Sequence, residues 1–544
     1  MKIYIKTLVL SAAMVCTVGL SSCVNDLNVT PIDPNLQTTI NPDQLLNKCY
    51  ANFAMAGNSG PDGDCDIDGL DGGTTGFIRQ LFNSNELTTD EAICNWGDNE
   101  GIPEFNFNNY GASHPMLKGF YYRLYFGVTV CNQYISQFGS VDKQKTAEVR
   151  FLRALQYYLL MDAYGNVPFT ETVSDQLAPQ YSRKQIFDYI EKELTEIEQD
   201  LAAPKAKTSS DPNYGRVDQV ADWMLKMRLY LNAEIYTGTA QWTKAAEYAK
   251  KVIDSPYKLY TGAKVNGWSA YQQLFMGNNG ENGSSVEAIF PILQDGKKTA
   301  AYGCTVFLIN ACSDADDVIN PNGNPGLGLF DNANWAGVRA RKSLIDKFFP
   351  TNNAQNVTGA EMPALANDDR ALFDGAGRKI TQETGTEITQ FKKGFSVLKF
   401  NNFYSDNGSA KDLGYADTDF FFFRVAEAYL AYAEATARAN GGTTTTDGTN
   451  YINDLRQRAH AQVRTTGGYS LNDILDEWSR EFYFEGRRRV DLVRFGKFGG
   501  NNNYNWPWKG GVASGTNFSA HRNVFAIPTT DLTVNTNLTQ NPNY

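Results

Sequence analysis

Stretches in which apolar residues recur every three or four positions dominate the sequence. Across residues 146–164, such residues fall on one helical face, namely Val149, Leu152, Leu155, Leu159 and Ala163. This spacing predicts an amphipathic α-helix, and Gly165-Asn-Val-Pro168 predicts where it ends. Residues 183–201 repeat the pattern after Ser182, a residue type that caps helix N-termini. The chain is therefore predicted to be mainly α-helical.

Neighbouring helices are predicted to form hairpins. Residues 218–236 and 241–254 are helical stretches separated by the short turn 237–240, and further helices are predicted at 115–138, 420–440, 450–462 and 471–495. Consecutive helix pairs with Ala, Tyr and Leu at their contacts suggest tetratricopeptide-like units, although the repeats are too divergent to establish a period. The predicted helical scaffold spans mainly 115–260 and 420–500, with a loop at 440–449.

Two regions differ from this scaffold. Residues 55–110 and 260–415 are rich in Gly, Asn, Asp and aromatic residues and have weak periodicity. They predict long loops and short strands laid over the helices. Because binding residues often lie on loops held by a rigid scaffold, these regions are the predicted location of a functional site.

The first 23 residues resemble an export signal. Lys2 and Lys6 precede a short apolar run across residues 8–20, which ends in Leu20-Ser-Ser-Cys23. The run is too short to span a bilayer, and the small residues before Cys23 resemble a bacterial lipobox. We expect a signal peptide at 1–22, lipidation of Cys23 and a tether at 23–40. The alternative is an ordinary secretory signal with a chance cysteine.

Charge and cysteine content exclude other classes of protein. The net charge is −11, and the sequence has no Lys/Arg-rich stripe, which argues against a nucleic-acid partner. Beyond Cys16 and Cys23, the six cysteines form no Cys-x-x-Cys pair and the three histidines are scattered, so a zinc site is not expected. Cys304 and Cys312 could form a local disulfide in an oxidising compartment, but the sequence does not assign the pairing.

Long segments of the chain resemble a known family. The resemblance is carried by residues 148–168, 477–496 and 526–544, together with the Thr30-Pro-Ile-Asp-Pro34 leader. These segments are similar to the RagB/SusD, or SusD-like, family of nutrient-uptake lipoproteins, and the likeness covers essentially the whole chain. Asn85-Glu-Leu-Thr-Thr-Asp-Glu91 and Trp506-Pro-Trp-Lys-Gly-Gly511 resemble the starch-binding member of that family more closely.

The resemblance implies both a fold and a function. The fold would be mostly helical, with four tetratricopeptide-like units supporting a loop-rich region in one domain across 41–544. The protein would be lipid-anchored on the outer face of the outer membrane. It would bind starch or malto-oligosaccharides and deliver them to a TonB-dependent, SusC-like transporter, which it covers as a hinged lid. The alternative is a receptor for another glycan, such as a fructan.

The resemblance also implies a set of sugar-binding residues. In the starch-binding member, an arc of aromatic rings holds the glycan, and the matching positions are Trp96, Tyr302 and Trp335. Trp335 is expected at the start of a helix. The implied polar partners are Asp71, Arg79 and Asn99, whose side chains offer donors and acceptors for sugar hydroxyls.

Calcium is a second implied ligand, with a structural role. Asp417 and Asp419 match an acidic pair that holds calcium in the relative, and Asn279 falls where a third ligand, a carboxylate, is found. Asp64-Cys-Asp-Ile-Asp-Gly69 resembles the start of an EF-hand loop, but position twelve would be Thr75 where glutamate is required, so we expect a loop with polar turns. No other cofactor is expected.

The rival interpretation is a surface glycoside hydrolase. Such enzymes need two carboxylates across the scissile bond. Glu477, Glu481 and Glu485 share one predicted helix face but are interleaved with arginines, a pattern typical of a salt-bridged structural helix. We therefore expect a binding protein and not an enzyme, with weak affinity for short oligosaccharides and stronger apparent binding to polymers.

Overall fold

Helices dominate the fold, as the periodicity predicts. The structure is a computed structural model, and it describes residues 40–60, 63–97, 100–330, 334–351, 354–380, 384–500 and 502–544. Residues from Leu46 onward form one compact unit. The predicted signal peptide, Cys23 and most of the tether lie outside the described residues. Among the described residues, no helix combines the length and apolarity needed to cross a membrane.

The helices and strands have the following bounds. The helices are α1 Pro42–Ala54, α2 Phe77–Phe82, α3 Ile102–Phe107, α4 Pro115–Phe138, α5 Lys143–Tyr164, α6 Arg183–Ile197, α7 Gln219–Leu231, α8 Ala233–Thr237, α9 Trp242–Asp254, α10 Ala270–Gln273, α11 Thr305–Asn310, α12 Lys342–Ile345, α13 Met362–Ala366, α14 Ala426–Ala439, α15 Thr446–Arg458, α16 Leu471–Phe482, α17 Arg488–Arg494 and α18 Thr529–Val534. The strands are β1 Gly57–Ser59, β2 Gly63–Cys65, β3 Ala92–Cys94, β4 Val167–Pro168, β5 Gln180–Tyr181, β6 Ala288–Ile292, β7 Val338–Ala340, β8 Phe373–Asp374, β9 Ser396–Val397 and β10 Phe420–Arg424. Each strand pairs antiparallel with one other, as β1–β2, β3–β7, β4–β5, β6–β10 and β8–β9.

Local capping explains where the long helices begin. The Asp142 side chain accepts the Lys145 amide at the start of α5. Ser182 and Gln185 form a reciprocal capping box at the start of α6, which confirms the predicted cap. These side chains satisfy amides that have no partner within the helix, so each helix starts at a defined residue.

The helices pack as consecutive hairpins. Helix α5 packs against both α4 and α6, α7 packs against α9, and α14 packs against both α9 and α15. This arrangement confirms the mainly α fold with hairpin units. The apolar faces of these hairpins bury residues such as Leu152, Leu155 and Ile190 at 0% exposure.

Three predicted helices are wrong in part, and one of them, 218–236, is interrupted at Asn232 between α7 and α8. Residues 420–424 form strand β10 instead of the start of a helix. The strand pairs with β6, and its four consecutive phenylalanines are buried on both faces of the strand. The predicted helix 471–495 is two helices, since Phe484 and Gly486 adopt positive φ angles of 63° and 74°, which end a right-handed helix. The predicted loop 440–449 is also shorter, because α15 starts at Thr446.

Much of the region predicted as surface loops at 55–110 is buried. The described residues from Gly72 to Cys94 lie in the interior, and Arg488 forms a two-pronged ion pair with Asp90 at 2.8 and 2.9 Å. The stretch that resembles the starch-binding member is therefore part of the protein core.

Two smaller expectations concern the cysteines and the EF-hand-like stretch. Cys304 and Cys312 are free, buried thiols, so the structure does not contain the disulfide that was considered between them. The segment 64–69 begins in β2 and continues as turns, as expected for a loop.

Candidate functional site

A short strand pair brings Trp96 and Trp335 together from opposite halves of the chain. Strand β3 pairs with β7, with Cys94 opposite Val338. The ladder continues because the Asn95 amide donates to the Gly337 carbonyl at 2.9 Å. The two indole rings lie 6.4 Å apart at an interplanar angle of 47°, and the Trp96 indole N–H donates to the Trp335 carbonyl at 3.4 Å. Trp335 precedes a strand and not a helix, so the expected helix start is wrong.

Gly337 provides the space that Trp96 occupies. A Cβ atom at residue 337 would lie 2.3 Å from Cε2 of the Trp96 ring, well inside van der Waals contact. By contrast, a Cβ at Gly97 would meet nothing within 4 Å. The position of the Trp96 ring therefore depends on the absence of a side chain at residue 337.

Tyr302 extends the pair of tryptophans into a row of rings. Its ring lies 5.9 Å from the Trp335 ring at an angle of 67°. Its loop approaches Gly73 and Gly76 so closely that a Cβ at Gly76 would lie 2.6 Å from Cα of Gly303. Trp96, Trp335 and Tyr302 are each partly exposed. The structure thus places the three aromatic residues predicted from the resemblance side by side.

Phe307 and Arg79 support this row from below. The Phe307 ring is 1% exposed and lies 6.4 Å from both tryptophan rings. The Arg79 guanidinium carbon lies 5.1 Å from the Phe307 ring centroid and 5.8 Å from that of Trp96. This cation–π geometry orients the guanidinium beside the indole. Phe307 was missed at the sequence level, because a phenylalanine in an apolar helix carries no signal beyond burial.

The remaining predicted polar residues have different outcomes. Asp71 is exposed, and its Oδ1 accepts hydrogen bonds from the Thr74 amide at 3.1 Å and the Thr74 hydroxyl at 3.3 Å. A Cβ at Gly73 would lie 2.6 Å from Cβ of Tyr302 and 3.3 Å from Oδ1 of Asp71. Asp71 therefore lies near the Tyr302 end of the row. Asn99 lies outside the described residues.

Tyr415 is a further ring that the sequence analysis missed. Its centroid lies 5.5 Å from that of Tyr302, and the two phenolic oxygens are 3.3 Å apart. Tyr415 is partly exposed and comes two residues before Asp417, which was already singled out. The sequence signal that could have identified Tyr415 is its position in a loop beside the predicted Asp417 motif.

The predicted calcium residues lie together but are engaged with the protein. The Asn279 amide donates to the Asp419 carbonyl at 2.9 Å, and its oxygen accepts the Asp419 amide at 3.1 Å. Asp417 accepts the amides of Gly296 and Lys411 at 2.9 and 2.8 Å. Asn279 is thus held against the backbone of Asp419, and its role as a third calcium ligand stays a prediction. Calcium binding by Asp417 and Asp419 stays a prediction.

Asp419 has an unusual electrostatic environment. Its carboxylate accepts the Gln294 amide at 2.7 Å and the Tyr214 hydroxyl at 2.8 Å. Burial is the larger influence and raises the pKa of Asp419 to about 7, although both donors oppose the shift. This carboxyl group therefore changes its charge near neutral pH.

The acidic residues considered for a hydrolase lie in the core. The Glu477 and Glu481 side chains are 0% exposed and pair with Arg370, while Glu481 also pairs with Arg424 at 2.7 Å. Burial alone would raise the pKa of Glu481, but the charges of Arg458, Arg424 and Arg370 lower it to about 2. These carboxylates are held ionised away from solvent, so they are structural.

The third acid of that set, Glu485, lies beyond the end of α16. Its carboxylate pairs with Lys399 at 2.6 Å and with Arg424 at 2.8 Å. Apart from Arg480, which pairs with Glu477, the partners of the three glutamates come from outside the predicted helix. The expectation of ion pairing is confirmed, but the network is long-range.

Comparisons with known proteins agree with this architecture. A sequence profile of the SusD family matches residues 310–544. Starch-binding protein SusD of Bacteroides thetaiotaomicron is 38% identical over 579 aligned residues, which cover 99% of each protein. This chain belongs to the SusD family.

Solved structures place the chain in the same fold. A SusD superfamily protein from Parabacteroides distasonis aligns with a TM-score of 0.66 at 20% identity, covering 92% of this chain and 98% of the other. A laminarin-binding SusD-like protein aligns with a TM-score of 0.64 at 18% identity, covering 92% of this chain and 99% of the other.

Proposed function

We propose that this protein captures starch and malto-oligosaccharides on the row formed by Trp96, Trp335 and Tyr302. The observation that carries the proposal is the unbroken row of partly exposed rings, with centroid spacings of 6.4 and 5.9 Å. Successive ring planes are turned by 47° and 67°. A turned row suits a ligand that curves, and starch is a helical polymer, whereas a straight glycan would be better matched by parallel rings.

Two polar groups beside and beneath the row support a sugar ligand. Sugars present weakly apolar C–H faces to aromatic rings and hydroxyl groups at their edges. The guanidinium of Arg79, which is 9% exposed, lies beside Trp96 beneath the row, and the exposed Asp71 carboxylate lies near the Tyr302 end. A guanidinium donates and a carboxylate accepts, so the two can bind hydroxyls of different orientation.

The identity of the glycan is supported by the starch-binding relative. That protein is 38% identical to this chain over nearly its full length. The alternative is a receptor for another glycan, such as a fructan, on the same family fold. Retention by amylopectin or by inulin distinguishes the two ligands.

We extend the proposal to the cellular role. The family resemblance and the lipobox-like Leu20-Ser-Ser-Cys23 support a lipoprotein on the cell surface, anchored in the outer membrane. It would deliver bound glycan, without cleaving it, to a TonB-dependent SusC-like transporter. Weak binding of short oligosaccharides fits this role, because transfer requires release.

Affinity electrophoresis tests the ligand. Native gels containing amylopectin, inulin or dextran would be run with the wild-type protein, Trp335→Ala and Trp242→Ala. Trp242 is a matched control because it is a partly exposed tryptophan at the start of α9, outside the row. We expect retardation in amylopectin for wild type and Trp242→Ala, and its loss in Trp335→Ala.

The other outcomes are equally informative. Retardation by inulin instead of amylopectin would reject starch and support the alternative glycan. Equal retardation of Trp335→Ala and wild type in amylopectin would reject the aromatic row as the site.

A further inference from the structure

A second cleft lies in the helical scaffold, formed by residues that the aromatic row does not use. It has a volume of about 450 Å³, within the usual size range of small-molecule sites. Helix α14 contributes Tyr429, helix α15 contributes Asp454 and Gln457, and the 258–262 loop after α9 forms another wall. We propose that this cleft, which we call the scaffold cleft, binds a neutral oligosaccharide segment independently of the aromatic row.

The aromatic component of the scaffold cleft is Tyr429. Its ring is partly exposed and is braced by Tyr451, whose centroid lies 5.0 Å away in an edge-to-face arrangement at 63°. Tyr451 is itself braced by Tyr432 at 5.1 Å. Such packing fixes the ring before any ligand arrives, so little conformational entropy is lost on binding.

The polar component consists of groups with unused hydrogen-bonding capacity. Asp454 and Gln457 are three residues apart, which places them on one face of α15. Within the described part of the chain, the Asp454 carboxylate, the Gln457 amide and the Tyr429 hydroxyl have no hydrogen-bond partner in the protein. Together they offer a carboxylate acceptor, an amide that both donates and accepts, and a phenol.

The charges in the scaffold cleft favour a neutral, hydroxyl-rich ligand. The cations in its walls are already engaged: Lys258 donates to the Ile253 carbonyl at 3.2 Å, and Arg458 pairs with Glu287 and Glu481. His460 contacts the Asp369 carboxylate at 2.7 Å. A carbonyl does not neutralise an ammonium group, so the walls carry the Lys258 cation as well as the Asp454 carboxylate. These opposite charges favour a neutral ligand, and the carboxylate accepts hydrogen bonds from hydroxyl groups. An aromatic face beside such acceptors is the chemistry that recognises sugars.

The scaffold cleft can be tested after removal of the aromatic row. Saturation-transfer NMR would be recorded on Trp96→Ala/Trp335→Ala with maltotriose, laminaritriose and a fructan trisaccharide at millimolar concentration. We expect saturation transfer to at least one trisaccharide, reduced at least about fivefold by adding Asp454→Ala and Gln457→Ala. Alanine is favourable in helices, so these exposed substitutions preserve α15. Asn450→Ala, an exposed amide change on the same helix outside the cleft, should leave the signal unchanged.

Two results would overturn this inference. One is the absence of transfer to all three trisaccharides in the background that lacks Trp96 and Trp335. The other is equal transfer after Asp454 and Gln457 are replaced. If that background does not fold, calorimetric titration of the wild type gives the same answer, since the stoichiometry should fall by one site in Asp454→Ala/Gln457→Ala. Amylopectin retardation that depends on Trp335 is a separate readout, so failure of the scaffold cleft and failure of the proposed function are distinguishable.

Discussion

Replacing Gly337 by alanine should disable the aromatic row without removing any of its atoms. The added Cβ would lie 2.3 Å from the Trp96 ring, and normal contact needs about 3.5 Å, so the indole must retreat by about 1.2 Å. Gly337 does not have a positive φ, which means that alanine suits its backbone. The strain should cost about 1–3 kcal/mol of folding stability.

The effect on ligand binding follows from the area that the displaced ring covers. One sugar face buries roughly 60 Å² against an indole, which at about 25 cal/mol per Å² corresponds to roughly 1.5 kcal/mol. Loss of that contact predicts about tenfold weaker binding of maltoheptaose, measured by isothermal titration calorimetry. Gly97→Ala is the matched control, because a Cβ there meets nothing within 4 Å. Wild-type affinity in a folded Gly337→Ala variant would refute the assignment of Trp96 as a binding platform.

Two buried charges give further predictions. Because the pKa of Asp419 is raised to about 7 in the folded state from 3.8, the folded state binds the proton more tightly, and stability falls as pH rises from 5 to 7. Asp419→Asn should flatten this dependence by up to about 2 kcal/mol in urea unfolding at the two pH values, and an unchanged pH profile would contradict it. Arg488→Met should destabilise the protein by about 3–5 kcal/mol, because it leaves Asp90 charged and buried. Adding Asp90→Asn should recover part of that loss, and a double variant no more stable than Arg488→Met would argue against the ion pair as the cause.

The helical scaffold was predictable because its signals are local. The apolar spacing around Leu152 and the Ser182 cap act within a few residues, and both predicted helices formed. The break after α16 was missed because positive φ at a phenylalanine, Phe484, has no sequence signature. Strand β10 was missed because a fully buried apolar run lacks the alternation that distinguishes a strand from a helix.

The site residues were predictable only through the family resemblance. Local sequence does not indicate that Trp96 and Trp335 meet, since the contact depends on the pairing of β3 with β7. The supporting roles of Phe307 and Gly337 could not be predicted for the same reason, because the residues that they contact are distant in sequence. Tyr415 was closer to prediction, because it adjoins the Asp417 motif.

Because the β3–β7 strand pair brings Trp96 and Trp335 together, the aromatic row forms only when the protein has folded. The two residues are 239 positions apart. Bringing them into contact closes a large loop of the chain, and contacts elsewhere in the fold must offset the conformational entropy lost by that closure. A chain that is unfolded, or truncated before β7, lacks the joined surface and, under the proposed function, cannot bind glycan. Glycan binding would then begin only once β3 and β7 have paired, and a partly folded molecule would not compete with the folded protein for ligand.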